Sequence, residues 1–242
     1  MGNRRNEYAH LLTNYLCKNP RIKHNGFHAV SAELLNKALR NLVTFERPDM
    51  YAMVDDTMVL IEHFEFDASK RTAKGMMGKK EESNLKKQIA VLPENKQLFC
   101  HKVGYKQTLQ DWISNFEVIF DEHYRKIPAY KEKIVQLQTK DIKKILVGFF
   151  IENQNSIPVF WDDKHRELRY FETIQFAEKI KESRELDFVL FGYLCGTNPQ
   201  IIYIDRDSFE ETEKFIDLKD PTLKISPVCK NEIIVSSKWR MN

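Results

Sequence analysis

The sequence predicts an α/β fold, a mixed central sheet flanked by helices, on three observations. Residues 46–67 hold two apolar runs of β-favouring residues, Met50–Val54 and Met58–Phe66, joined by the turn chemistry of Asp55-Asp56-Thr57. Residues 108–125 repeat Leu109, Trp112, Ile113, Phe116, Ile119, Phe120 and His123 at three- and four-residue steps, the signature of a core-facing helix. Ile145–Ile151 is a nearly unbroken apolar run, as expected of a strand covered on both faces.

In chain order, Tyr8, Leu11, Leu12, Tyr15 and Leu16 predict a packing helix over residues 7–17, stopped by Asn19-Pro20. His24-Asn25-Gly26-Phe27-His28 reads as a turn. Ser31 can cap a second helix through Leu42, with Leu34, Leu35, Ala38, Leu39 and Leu42 inward. The hairpin follows. A two-residue Asp55-Asp56 loop pairs Val54 with Thr57 and sets Asp49 opposite Glu62; a three-residue loop sets it opposite His63. Residues 68–82, with Lys70, Arg71, Lys74, Lys79 and Lys80 around Gly75 and Gly78, show no periodicity and read as a mobile basic loop.

Ser83 or Asn84 can start a helix with Leu85, Ile89 and Leu92 inward, ended by Pro93, and Pro128 suits the first turn of another that carries Tyr130, Ile134 and Leu137. After Ile145–Ile151, the run Ile157–Trp161 is expected to return beside it. Phe171–Lys181 reads as a helix, Phe188–Leu194 and Ile201–Ile204 as strands, and Ile233–Val235 as a short edge strand. Glu152 closes its apolar run either for chemistry or at an exit to solvent.

At 242 residues, with 42% hydrophobic and 30% charged residues, the composition is that of one globular α/β domain spanning 1–242. A net charge of +3 is too small to argue for nucleic acid unless the charges cluster. Cys17, Cys100, Cys195 and Cys229 show no CxxC spacing, which leaves a reduced, cytoplasmic setting as the expectation. The basic N-terminus runs into Glu7 and His10 without an apolar core, so no secretory signal is expected. No run approaches the ~18 apolar residues of a membrane span. Glycine-rich phosphate loops, GxSxG elbows and zinc-deaminase motifs are absent from the sequence.

The carboxylates of the hairpin carry the chemistry. Glu62-His63-Phe64-Glu65-Phe66-Asp67 sets four ionisable side chains in a strand of bulky apolar residues, where charge is seldom kept without a partner or a role. Two carboxylates about 5 Å apart across strands repel unless a shared proton or a cation relieves them. Alternation places Glu62, Phe64 and Phe66 on one face of the strand and His63, Glu65 and Asp67 on the other. Glu65 and Asp67 are therefore an alternative acidic pair.

Pro48-Asp49 followed after twelve residues by Glu62 resembles the PD-(D/E)xK nuclease superfamily, in which Pro-Asp opens one strand and Glu-x-Lys follows on the next. The third motif position departs, being Phe64. The resemblance implies a restriction-endonuclease-like fold and a metal-dependent nuclease, with Mg²⁺ or Mn²⁺ held by Asp49 and Glu62, joined by Glu65 and by Glu33 from the preceding helix. A favourable acid in a helix first turn, which needs no function, is the preferred account of Glu33. The missing lysine would come from Lys70, Lys86 or Lys87, Lys70 being the first choice, and Lys70, Arg71, Lys74, Lys79 and Lys80 would contact phosphates of DNA or RNA. The alternative is a noncatalytic nucleic-acid-binding or protein-interaction module of the same fold.

Overall fold

The computed structural model describes residues 7–18, 21–24, 27–66, 71–72, 75–76, 80, 83–84, 87, 109–136, 142–153, 159–161, 167–195, 198–209, 215–219 and 224–225. The chain forms two compact units, one of residues 1–66, 119–153 and 170–221, the other of residues 67–118, 154–169 and 222–242. Among the described residues no helix is long and apolar enough to cross a membrane.

The first unit is built on a seven-stranded mixed sheet. In chain order its elements are α1 (Glu7–Asn14), β1 (Arg21–His24), α2 (Ala32–Arg40), β2 (Val43–Thr44), β3 (Met50–Val54) and β4 (Thr57–Phe66). The second unit contributes the short pair β5 (Arg71–Thr72) and β6 (Gly75–Met76), so the segment expected to be irregular contains a small antiparallel ladder. Then come α3 (Leu109–Tyr124), which runs from the second unit into the first, α4 (Ile127–Gln136), β7 (Lys144–Asn153), β8 (Val159–Trp161), β9 (Glu167–Arg169), α5 (Ile174–Glu182), β10 (Phe188–Cys195), β11 (Asn198–Asp205) and β12 (Lys224–Ile225).

The strand order of the large sheet is β1-β11-β10-β7-β4-β3-β2. Its centre, β4, β7 and β10, is parallel, and β2-β3-β4 and β10-β11 are antiparallel. The hairpin turn has two residues: Val54 pairs with Thr57, and Asp55 takes φ 55°, a left-handed conformation that aspartate tolerates better than most residues. Lys143 holds the turn from the start of β7, donating its N–H to the Asp56 carbonyl at 3.0 Å and its Nζ to the carboxylate at 3.0 Å.

One face of the sheet is covered by α1 and α2. Ser31 caps α2 by accepting from Leu34 N–H at 3.2 Å, and Leu35, Ala38 and Leu39 pack with Met50, Ala52, Val59, Ile61, Phe150 and Leu190. The other face is covered by α4, α5 and the C-terminal half of α3. There Phe149 meets Phe120 and Phe64 edge-on, Phe176 meets Phe191, and Lys179 on α5 reaches Asp121 on α3. Two glycines allow large rings to cross the sheet. A Cβ on Gly148 would lie 2.1 Å from Phe188, and one on Gly192 would lie 2.6 Å from Phe150.

Two expectations change. Of the run Ile157–Trp161, the described residues 159–161 do not return beside β7; β8 pairs with β9 and β12 in a separate three-stranded sheet of the second unit, while β7 is flanked by β4 and β10. Parallel neighbours bury β7 on both sides, which a local hairpin would have left half open. Arg21–His24, of which the sequence reading took only His24, as the start of a turn, is an edge strand parallel to β11. Most of the helix expected from Ser83, and the edge strand expected at Ile233–Val235, lie outside the described residues.

Candidate functional site

The carboxylates collect where the parallel strands end. β4 and β7 run in the same direction, so Glu62 to Phe66 and Glu152 lie at the C-terminal edge of the sheet, and Asp49, just before antiparallel β3, is brought to that edge as well. Ligands of open α/β sheets bind at this edge. The register Met50↔Ile61 continues to Asp49 opposite Glu62. The ladder stops at Met50, and the Asp49 side chain takes over from it: its Oδ2 accepts the His63 backbone N–H at 2.8 Å.

Glu62 points toward α3 and α4 and is 6% exposed. Its Oε1 accepts the Tyr130 hydroxyl at 2.6 Å and meets His123 Nδ1 at 2.8 Å. A carboxylate only accepts, so Nδ1 is the protonated nitrogen of His123. The His123 ring stacks on Phe64 with centroids 4.4 Å apart and planes 15° from parallel, which fixes its direction. Burial, then the charge of Glu62 and the hydrogen bond to it, push the Tyr130 phenol well above its ordinary pKa; Asp49 adds to this and Arg47 opposes it. Tyr130 is thus a fixed donor at neutral pH, and both carboxylates act on it.

The predicted residues divide as follows. Asp49 and Glu62 are adjacent in register, and both charges act on Tyr130 of α4. Glu65 lies on the opposite face, in register with Glu152 of β7. Glu33 stands in the first turn of α2, largely exposed and paired with Lys37 at 2.9 Å, which also holds its carboxyl below the usual range. That is the first-turn acid of a helix, on a separate element from the hairpin carboxylates. Lys70, Lys74, Lys79 and Lys86 lie outside the described residues; Arg71 opens β5, and Lys80 and Lys87 are exposed.

Sequence reasoning missed His123, Tyr130 and Tyr15 as participants and left the parts of His63 and Glu152 open. His123 was read as a structural edge of the α3 stripe and Tyr130 as core; both reach Glu62. His63 Nε2 and Glu152 Oε2 approach to 3.3 Å on the α1 side, with the His63 side chain 1% exposed. Above them sits Tyr15, whose ring meets Phe150 edge-on at 5.2 Å. The inward helical face was a signal for His123 and Tyr130, but it did not say what they would touch.

No protein-family model, curated protein or solved structure matches the chain. The chemistry of the site therefore rests on its own residues. Among the described residues no three His, Cys, Asp or Glu side chains are gathered as a ready metal cage. Asp49 and Glu62 are a smaller, all-oxygen donor pair. Such a pair fits Mg²⁺, which keeps several waters and takes one or two carboxylates together with substrate phosphates.

Proposed function

We propose that the protein is a metal-dependent nuclease that hydrolyses phosphodiester bonds of DNA or RNA, with Mg²⁺ or Mn²⁺ held at Asp49 and Glu62. The observation that carries this reading is the register that sets those two carboxylates opposite each other at the C-terminal edge of the parallel strands. Bound there, the cation supplies charge to polarise a phosphate and to lower the pKa of an attacking water. Tyr130 and His123 hold the Glu62 carboxylate in place, as outer partners hold metal ligands elsewhere, and the His63 N–H holds Asp49. The order helix, hairpin, helices and parallel strand accords with the restriction-endonuclease-like fold that the Pro48-Asp49…Glu62 resemblance implies.

The test is Mg²⁺- or Mn²⁺-dependent cleavage of mixed DNA and RNA substrates. Wild type cleaves, and Asp49→Ala loses at least about 100-fold, as loss of one electrostatic stabiliser does. Cleavage untouched by that change removes the assignment.

One observation favours a second reading. Phe64, stacked on His123, stands where the motif has lysine, and Glu62 Oε1 already has two partners. In a noncatalytic module this network is structural, and nucleic acid or a protein partner binds without metal. Metal-independent retention of nucleic acid with no cleavage selects that reading.

A further inference from the structure

The segment that leads into β3 is a turn closed on itself. Phe45 N–H donates to the Asp49 carbonyl at 2.8 Å, so Glu46, Arg47 and Pro48 form its loop. Three contacts hold the loop down: the Phe45 ring meets Tyr51 edge-on at 5.6 Å, Pro48 is buried, and Glu46 pairs with Lys133 of α4 at 3.6 Å. Arg47 is exposed, and among the described residues it makes no hydrogen bond, ion pair or ring contact, although Glu46 and Asp49 are close to it in the chain.

An arginine on an exposed loop needs no role of its own; the place of this one is what matters. It comes just before Pro48-Asp49, at the C-terminal edge of the parallel strands, and its positive charge acts on the Tyr130 phenol, which donates to Glu62. The charges around it also leave a remainder. Glu46 is taken by Lys133, and the carboxylates of Asp49 and Glu62 together offset one divalent cation. Arg47 is left as a net positive charge beside the pair, the complement of a single phosphodiester group.

We propose that Arg47 binds the non-bridging oxygens of the phosphodiester at the Asp49–Glu62 site and is a catalytic residue of its hydrolysis. This rests on the nuclease reading and adds to it the group that grips the substrate. In the reaction the water oxygen bonds to phosphorus, the ester P–O bond breaks, and the leaving oxygen takes up a proton. Negative charge builds on the non-bridging oxygens on the way, and a planar guanidinium with two parallel N–H groups meets it there. The loop backbone is already fixed by Phe45, Glu46 and Pro48, so only the arginine side chain is ordered when substrate arrives. Such a contact reads the phosphate and not the base, so DNA and RNA are gripped alike.

The experiment compares wild type with Arg47→Ala, Arg47→Lys and Lys23→Ala, the last removing an equal charge from exposed Lys23 on β1, at the far edge of the sheet. Cleavage of labelled single-stranded DNA and RNA oligonucleotides is followed with Mn²⁺, and their binding is followed with Ca²⁺ by fluorescence anisotropy over a range of salt. Arg47→Ala is expected to lower kcat/KM about 100-fold and to reduce the salt slope of binding by about 0.7. Arg47→Lys restores the slope but not the rate, because it keeps the charge without the fork. Lys23→Ala behaves as wild type. Equal cleavage by wild type and Arg47→Ala overturns the inference and leaves the nuclease reading standing. If no variant cleaves, the nuclease reading fails; a slope lowered by Arg47→Ala alone still supports Arg47 as the phosphate contact, whereas an unchanged slope, or no binding, overturns that too.

Discussion

Replacing Tyr130 by Phe isolates the contact that orders Glu62. The hydroxyl is buried, donates to Glu62 Oε1 at 2.6 Å, and belongs to a side chain that is 1% exposed. Phe keeps the ring and leaves no cavity beyond one oxygen, so the loss is that of a hydrogen bond to a charged acceptor, about 1.5–3 kcal/mol. Glu62 retains His123 at 2.8 Å, which argues for the lower half of that range, about 2 kcal/mol. For a chain of this length each kcal/mol moves the thermal midpoint by roughly 2–4 °C, so Tyr130→Phe lowers it by about 4–8 °C. Calorimetry at pH 7 reads this directly, and a double-mutant cycle with Glu62→Gln assigns it to the pair. A midpoint within about 1 °C of wild type, or a cycle with no coupling, refutes the network around Glu62.

Tyr15, Tyr130 and Tyr203 have folded-state pKa values raised above the ordinary phenol value of about 10, burial being the first cause for each. Their stabilisation is complete below pH 10 and is lost above it, because the unfolded chain releases these protons first, at about 1.4 kcal/mol per pH unit for each tyrosine; urea unfolding at pH 9 and 11 shows the decline, and a flat profile contradicts it. Gly148→Ala drives a Cβ to 2.1 Å from Phe188, so the urea midpoint falls by an amount equivalent to about 1–3 kcal/mol, whereas an unchanged midpoint means the ring does not cross there. Asp205, 0% exposed, accepts from His28 N–H, Ala29 N–H, the Tyr203 hydroxyl and Ser208. Burial works against its charge, yet these bonds hold its pKa below 3.8, so its contribution is present above that pH and is lost as pH falls through the folded value. Asp205→Ala strands several donors and costs at least about 3 kcal/mol at pH 7 by denaturant unfolding.

The hairpin was legible because its determinants are local. A two-residue turn fixes the register of β3 and β4, and with it the place of Asp49 opposite Glu62. Ser31 and the Leu35-Ala38-Leu39 face gave α2, and the aromatic stripe gave Leu109–Tyr124. What the sequence left open depends on pairings between distant segments. Arg21–His24 has one apolar residue in four, and its strand identity comes from β11, some 180 residues later. The departure of residues 159–161 from β7 was hidden because β10, not a local hairpin, claims that edge. The site divides in the same way. Alternation already separated Glu62 from Glu65, while the meeting of His123 and Tyr130 with Glu62, and of Glu65 with Glu152, depends on how β7 and the helices before it pack back on β4.

The central claim is that Asp49 and Glu62 share one cation. Anomalous diffraction from crystals grown with Mn²⁺ tests it most directly. A peak within coordination distance of a carboxylate oxygen of each residue is the predicted result; Mn²⁺ bound elsewhere, with Glu62 still closed on Tyr130 and His123 and no peak beside Asp49, contradicts it.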